Sequence, residues 1–210
     1  MNRKQVGILL FEDIEVLDFC GPFEVFSVRR LDEEKRREEL SPFNVFLVAA
    51  SKAPVVTTGG MKVLPDYDLD DCPAMHILVI PGGWGTRKEM HNERLLGWIA
   101  DRAGRVETLT SVCTGALLLG KAGLLDGKRA TTHWRSLDWM QELFPKTTVE
   151  KQLHFVEDGT LLTSAGISAG IDMALRVVAR YFGEAVARGT AKNMEYPYPE
   201  SAARRISIPA

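Results

Sequence analysis

The chain reads as an α/β protein with a mostly parallel sheet and helices on both of its faces. Three observations carry that reading. Short β-rich apolar runs alternate with longer stretches of helical character. The runs are apolar nearly throughout rather than at every second residue, as strands covered on both faces are. Two of them end in turns of special composition, Pro81-Gly82-Gly83 and Cys113-Thr114-Gly115.

The elements follow in order. Val6–Phe11 is the first buried strand; Glu12 and Asp13 end it too soon for the core of an export signal, despite the basic start at Arg3-Lys4. A helix is expected over Pro22–Leu40, with Phe23, Phe26 and Arg30 on one face and Arg29–Leu40 as a solvated, charge-laced end. Asn44–Ala50 is the next strand, and Pro54–Leu64 reads as a hairpin turning at Gly59-Gly60. Strand His76–Ile80, helix Arg87–Ala103, strand Val106–Val112 and helix Thr114–Ala122 continue the alternation. Then come a short strand at Lys128–Thr132, a helix over Trp134–Leu143, and a hairpin over Gln152–Thr163 turning at Asp158-Gly159. Helix Ile167–Arg180 and a further helix over Gly183–Met194 lead into the tail Tyr196-Pro197-Tyr198-Pro199, expected to pack on the surface or on a neighbouring subunit. No repeat or shift of composition divides residues 1–210, so one domain is expected, its core at roughly 5–182 and its last helix and tail at 183–210.

Composition narrows the function. Lys plus Arg number 26 against 28 Asp plus Glu, a net charge of −2, without the positive excess a nucleic-acid binder uses to displace counterions. No apolar run approaches the roughly 18 residues that span a bilayer, so no membrane role is expected. Cys20, Cys72 and Cys113 are odd in number and widely spaced, which fits neither a disulfide framework nor a zinc knuckle and points to a reducing cytoplasm. His76, His91, His133 and His154 show no ligand spacing, so neither metal nor cofactor is expected.

The most informative stretch is Thr108–Gly120, TLTSVCTGALLLG. An apolar strand ends at Val112, Cys113 follows, and a helix begins. Ser111-x-Cys113-x-Gly115 has the small-x-nucleophile-x-small form of a nucleophile elbow. Such a turn strains one residue and presents its side chain at the carboxyl edge of the sheet. The helix then aims free N–H groups at the sulfur, which favours thiolate and lowers the cysteine pKa. Cys20 and Cys72 have no such context and read as small core residues.

Three further segments gather at strand ends, where open parallel sheets collect ligands. In Pro81-Gly82-Gly83-Trp84, the Gly83 N–H is expected to join that of Thr114 as an oxyanion-type pair. Asp18, ahead of Gly21-Pro22, reads either as a helix cap or as a site acid, and Glu15 is a weaker candidate. His133, in Thr131-Thr132-His133-Trp134, is either a general base or a hydrogen-bonded wall residue. Trp84, Phe19 and Ile167 are candidate pocket walls suited to a small apolar molecule.

Together these motifs resemble the DJ-1/PfpI superfamily over roughly Val6 to Pro199. The matching residues are Asp18 before Gly21-Pro22, Pro81-Gly82-Gly83, Ser111–Gly115, Ala130–Trp134 and Thr163-Ser164-Ala165-Gly166-Ile167. The resemblance implies a flavodoxin-like α/β fold, a homodimer, Cys113 as the reactive centre and Asp18 hydrogen-bonded to its sulfur. By the same matching, Gly83 and Thr114 supply backbone donors beside it. Thr114 replaces the histidine of the peptidase-like branch, which speaks against peptidase activity. Cys113-Thr114-Gly115, the stretch Leu17–Phe26, Thr132-His133-Trp134 and Glu195-Tyr196 are similar to isonitrile hydratases, and equally to the sensor domains of AraC-type regulators. Those regulators continue into a helix-turn-helix domain, which this chain is not expected to carry. The resemblance therefore implies hydration of a small electrophile such as an isonitrile to a formamide. Its alternatives are glyoxalase- or deglycase-type action on methylglyoxal, or ligand or redox sensing without turnover.

Overall fold

A computed structural model describes residues 3–31, 34 and 38–208. The chain opens with strand β1 (Lys4–Leu9), helix α1 (Val16–Val28) and strand β2 (Phe43–Ala49). A two-strand hairpin, β3 (Val55–Val56) with β4 (Lys62–Val63), and a short β5 (Tyr67–Asp68) follow. Strand β6 (Ile77–Ile80), helices α2 (Thr86–Glu89) and α3 (Glu93–Ala103), strand β7 (Thr108–Val112) and helix α4 (Gly115–Lys121) make the central unit. Strand β8 (Arg129–Ala130), a 3₁₀ turn at Trp134–Ser136, helix α5 (Leu137–Leu143) and β9 (Thr148–Val149) come next. The antiparallel pair β10 (Phe155–Asp158) and β11 (Leu161–Ser164) precedes helices α6 (Ala169–Phe182) and α7 (Glu184–Asn193).

The main sheet runs β10-β11-β7-β6-β1-β2-β5 and is parallel throughout except at β10. Its centre explains the unbroken apolar runs: Val6, Ile8, Leu9, Ile77, Leu78, Val79, Ile80 and Val112 are fully buried. Helices α1, α6 and α7 pack together on one side, and α2, α3 and α4 on the other. Burying one large aliphatic or aromatic side chain in such a core stabilises the fold by about 1.5–3 kcal/mol. Phe43 collects three aromatic neighbours, Phe26 at 4.9 Å, Phe182 at 5.3 Å and Tyr181 at 6.4 Å between ring centroids, and so ties β2 to α1 and α6. After β2 and β5 have grown the sheet in one direction, the chain crosses back to lay β6 on the other side of β1. The carboxyl ends of β1 and β6 therefore diverge at a switch point, the usual ligand crevice of such folds.

Several expected boundaries move. The first helix starts at Val16 rather than Pro22, so Asp18 lies in its first turn and Pro22 inside it. It ends at Val28: residues Arg29–Leu31, Glu34 and Glu38–Leu40 are not helical, and the remainder of the expected charged extension lies outside the described residues. The helix expected over Arg87–Ala103 is two, because Asn92 stops one and caps the next, its side chain accepting the Leu95 N–H at 3.2 Å. The two-residue strands β5 and β9 carry too little pattern to have been expected. Among the described residues, no helix is long and apolar enough to cross a membrane.

The tail folds back along its own chain. Ala203 bridges Leu153, the His154 N–H donates to Ala202 O at 2.7 Å, and the Arg204 N–H donates to Gln152 O at 2.8 Å. Buried Asp172 of α6 anchors it: the Tyr196 hydroxyl donates to Asp172 at 2.9 Å and the Arg205 guanidinium pairs with it at 2.8 Å.

Candidate active site

Cys113 follows β7 with φ of +55°, a left-handed conformation costly for a residue with a side chain. The surroundings over-determine it. Its N–H is held by the carbonyls of Ala165 at 3.1 Å and Ser164 at 3.2 Å, and its carbonyl accepts the Thr132 hydroxyl at 2.7 Å. Gly115 completes the turn, since a Cβ there would run into Ile80 O. The small residue that the elbow pattern requires is thus a demand of the neighbouring strand end.

Asp18 reaches the sulfur from α1. It is fully buried and does not cap its helix; Oδ2 accepts the Gly82 N–H at 2.9 Å. A Cβ on Gly82 would lie 2.6 Å from both N and Oγ1 of Thr114 and 2.9 Å from Asp18 Oδ2, so only glycine admits this approach. Among the described residues the other carboxyl oxygen has no partner of regular hydrogen-bond geometry, although the Cys113 thiol and the Ile167 N–H act on the group. Ile167 reaches that position with φ of +58°, a strained value for a β-branched residue.

The electrostatics correct the expected low thiol pKa. Burial pushes the Asp18 carboxyl up to about 7; the Gly82 N–H opposes this, the charge of Glu15 adds to it, and Cys113 and Ile167 oppose it weakly. Burial, then the Asp18 charge, push the Cys113 thiol above its ordinary range, against the N–H and hydroxyl of Thr114, which favour thiolate. Proximity to a helix start is therefore not the governing effect. Two acids in one buried site cannot both ionise near neutral pH, and the pair titrates as a unit.

The oxyanion-type pair is corrected too. The Gly83 N–H donates to Thr114 Oγ1 at 3.0 Å, because Thr114 turns its hydroxyl into the Pro81–Gly83 turn. Gly83 nevertheless lines, with Cys113 and Thr114, a cavity of about 510 Å³. Only 7% of Cys113 is exposed at its floor. Of the other expected wall residues, Trp84 and Ile167 stand at the mouth, whereas Phe19 is buried in the core. His133 also lines the cavity; its Nδ1 accepts the Arg135 N–H at 3.3 Å, which leaves Nε2 to carry the proton of the neutral ring. Burial first, then the charges of Arg135, Arg204 and Arg87, hold its pKa below the ordinary value. Glu15 is a lining residue as well.

Arg87, Arg135, Ser136 and Trp139 of the same cavity were not anticipated. The available signal was position alone: Arg87 stands four residues past Gly83, and Arg135 two past His133. In the sequence Gly82 looks like part of a turn only; its role as the donor that orients Asp18 has no local signal.

An α/β fold with a strained cysteine at a strand–helix turn and a buried acid beside it defines a class of cysteine-elbow proteins. The chain belongs to the DJ-1/PfpI family, whose pattern matches residues 4–180. It is 36% identical over 192 residues to an isonitrile hydratase of Pseudomonas putida, covering 91% of this chain and 78% of that protein. It is 34% identical over 179 residues to the HTH-type transcriptional regulator CdhR of Pseudomonas aeruginosa, covering 85% of this chain; the chain spans about half (51%) of that regulator's length. Among solved structures, a ThiJ/PfpI family protein from Pseudomonas syringae superposes with a TM-score of 0.82 at 31% identity, covering 96% of this chain and 78% of that one.

Proposed function

We propose that this protein hydrates a small electrophile, an isonitrile, to the N-substituted formamide, with Cys113 as nucleophile and Asp18 as its proton partner. The observation that carries the reading is Cys113 at the floor of a cavity open to solvent, with the buried carboxyl of Asp18 acting on its thiol. Similarity to an isonitrile hydratase supports the choice of electrophile.

The Cys113 sulfur adds to the terminal carbon of R–N≡C, forming a C–S bond, while the one proton held by the pair passes to that carbon. The product is a thioimidate, R–N=CH–S. Water then adds: its oxygen bonds to the carbon and one proton goes to nitrogen. The C–S bond breaks, its electron pair returns to sulfur, and the second water proton returns to the Cys113–Asp18 pair. One isonitrile and one water yield one formamide, and the protein is restored. Asp18 suits the proton role because burial keeps its carboxyl near half-protonation at neutral pH. His133 serves as wall rather than base, since one ring nitrogen is occupied by the Arg135 N–H.

The regulator relatives favour a second reading, in which the same cavity binds a ligand without turnover. Parallel assays with p-nitrophenyl isocyanide and methylglyoxal decide. Formamide production by the wild type, lost in Cys113→Ala with the circular dichroism spectrum unchanged, is expected. Undiminished hydration by that variant overturns the mechanism; turnover of methylglyoxal alone moves the protein to glyoxalase-type chemistry. Absence of both favours sensing. The homodimer belongs to the same reading and is checked by sedimentation.

A further inference from the structure

Two arginines line the cavity that Cys113 floors, and among the described residues neither has an acidic partner in an ion pair. Arg87 sits over Trp84 with 4.3 Å from guanidinium carbon to ring centroid, and over Trp139 at 5.5 Å. Among the described residues its guanidinium makes one hydrogen bond, a long contact from Nη1 to Gly83 O at 3.4 Å. Arg135 sits over Trp134 at 4.8 Å. Stacking on an indole face fixes the plane of a guanidinium and leaves its edge of N–H donors available. Elsewhere the guanidinium groups are occupied: Arg129, Arg176 and Arg188 each meet a glutamate within 3.0 Å, and Arg102 and Arg204 donate to backbone carbonyls at 2.9 Å. Glu15, the carboxylate lining the cavity, pairs with neither arginine among the described residues. A second observation agrees, for both charges reach His133 and disfavour its protonation. The wall is therefore a positive surface with unused planar donors, opposite to the small apolar pocket expected from Trp84, Phe19 and Ile167.

We propose that the substrate carries a carboxylate, bound by Arg87 and Arg135, which directs its electrophilic end to Cys113. A guanidinium edge matches a carboxylate with two parallel hydrogen bonds, and a cavity of about 510 Å³ suits a small acid. The inference rests on the hydratase reading and names its substrate class: a short isonitrile acid, released as an N-formyl amino acid or a similar N-formyl acid. Arg87 and Arg135 are specificity residues here; the bonds made and broken at Cys113 stay as described above.

The matched probes are isocyanoacetate and its methyl ester, which differ in the charge and bear the same isonitrile. Initial rates are measured for the wild type, Arg87→Gln, Arg135→Gln and the double variant. The wild type is expected to prefer the acid by about tenfold or more in kcat/KM, and each single variant to lower the acid-to-ester ratio about tenfold, chiefly through KM. Arg135 is exposed, so its variant keeps the test valid if Arg87→Gln fails to fold. An ester turned over as well as the acid, or a ratio that the variants leave unmoved, overturns the proposal while leaving the hydratase reading intact. Hydration of p-nitrophenyl isocyanide with neither isocyanoacetate nor its ester turned over also overturns the proposal; if none of the three is hydrated, the hydratase reading fails, and N-formylglycine binding followed by tryptophan fluorescence decides the site. Saturable binding lost in the double variant upholds the carboxylate site; no binding by the wild type overturns it.

Discussion

Beneath the cavity Asp18 is 0% exposed and at its floor Cys113 is 7%, while at its mouth Trp84 is 66% exposed and Ile167 40%. The floor is fastened by backbone groups: Gly82 holds Asp18, and Ser164, Ala165 and Thr132 hold Cys113. The wall is fastened by stacked side chains from α2, the 3₁₀ turn and α5. The difference teaches that chemistry and recognition are built to different tolerances here. Atoms that exchange a proton are fixed by strand ends that cannot shift without disturbing the sheet. Groups that select a ligand stand on short elements that sequence change can rebuild at small cost.

The sharpest way to break that contrast is at the floor. Asp18→Ala is expected to lower isonitrile turnover by about 10²–10⁴-fold, the usual loss when a positioned proton donor is removed. A loss of less than about tenfold, read by formamide production under saturating substrate, would make the carboxyl a structural group only.

Linkage separates floor from wall thermodynamically. The folded-state pKa of Asp18 is raised from 3.8 to about 7, so the folded protein favours the neutral carboxyl. Its contribution is complete below the unfolded value and is lost as pH rises through the folded value. Between about pH 4 and 8 the wild type should therefore lose up to about 4 kcal/mol relative to Asp18→Asn, an upper bound because Cys113 shares the titration. Urea unfolding of both proteins across that range measures it. Gly82→Ala is expected to cost about 1–3 kcal/mol, since its methyl meets the Thr114 backbone and the Asp18 carboxyl at once. The same variant should also lower turnover, because the donor that orients Asp18 is displaced.

The tail gives a smaller effect. Arg204 donates to Thr131 Oγ1 at 3.0 Å and Thr132 O at 3.2 Å, and the Thr132 hydroxyl in turn holds Cys113 O. Arg204→Ala is expected to cost about 1–2 kcal/mol in thermal unfolding and only a few-fold in kcat. Trp84→Ala, at the rim, should leave stability within about 0.5 kcal/mol, because a side chain so exposed contributes little to the core.

The same division sets what could be read in advance. The strands β1, β6 and β7 announce themselves as apolar runs, and the elbow is written in five consecutive residues, Ser111–Gly115. Asp18 was placed near the sulfur only by resemblance, because Gly21-Pro22 looks like a helix start. In fact Pro22 sits inside α1, where the lack of side-chain bulk at Gly21 and Gly170 lets α1 and α6 approach closely. Arg87 and Arg135 are hidden in the sequence because they reach one cavity from a four-residue helix and a three-residue turn, neither of which has a periodic signal. The thiol was misjudged for a different reason. The positive end of a helix is visible from local order, whereas burial and the charge of Asp18 arise only when distant segments close over Cys113.

The proposed chemistry depends on the buried Asp18 carboxyl itself taking up and giving back a proton near neutral pH. The direct test is a pH titration of the Asp18 carboxyl carbon resonance, assigned by its disappearance in Asp18→Asn. A midpoint near the raised value of about 7 is the expected result. A midpoint at the ordinary value of 3.8 would contradict the account, for the carboxyl would then hold no proton to give at the pH where the thiol must react.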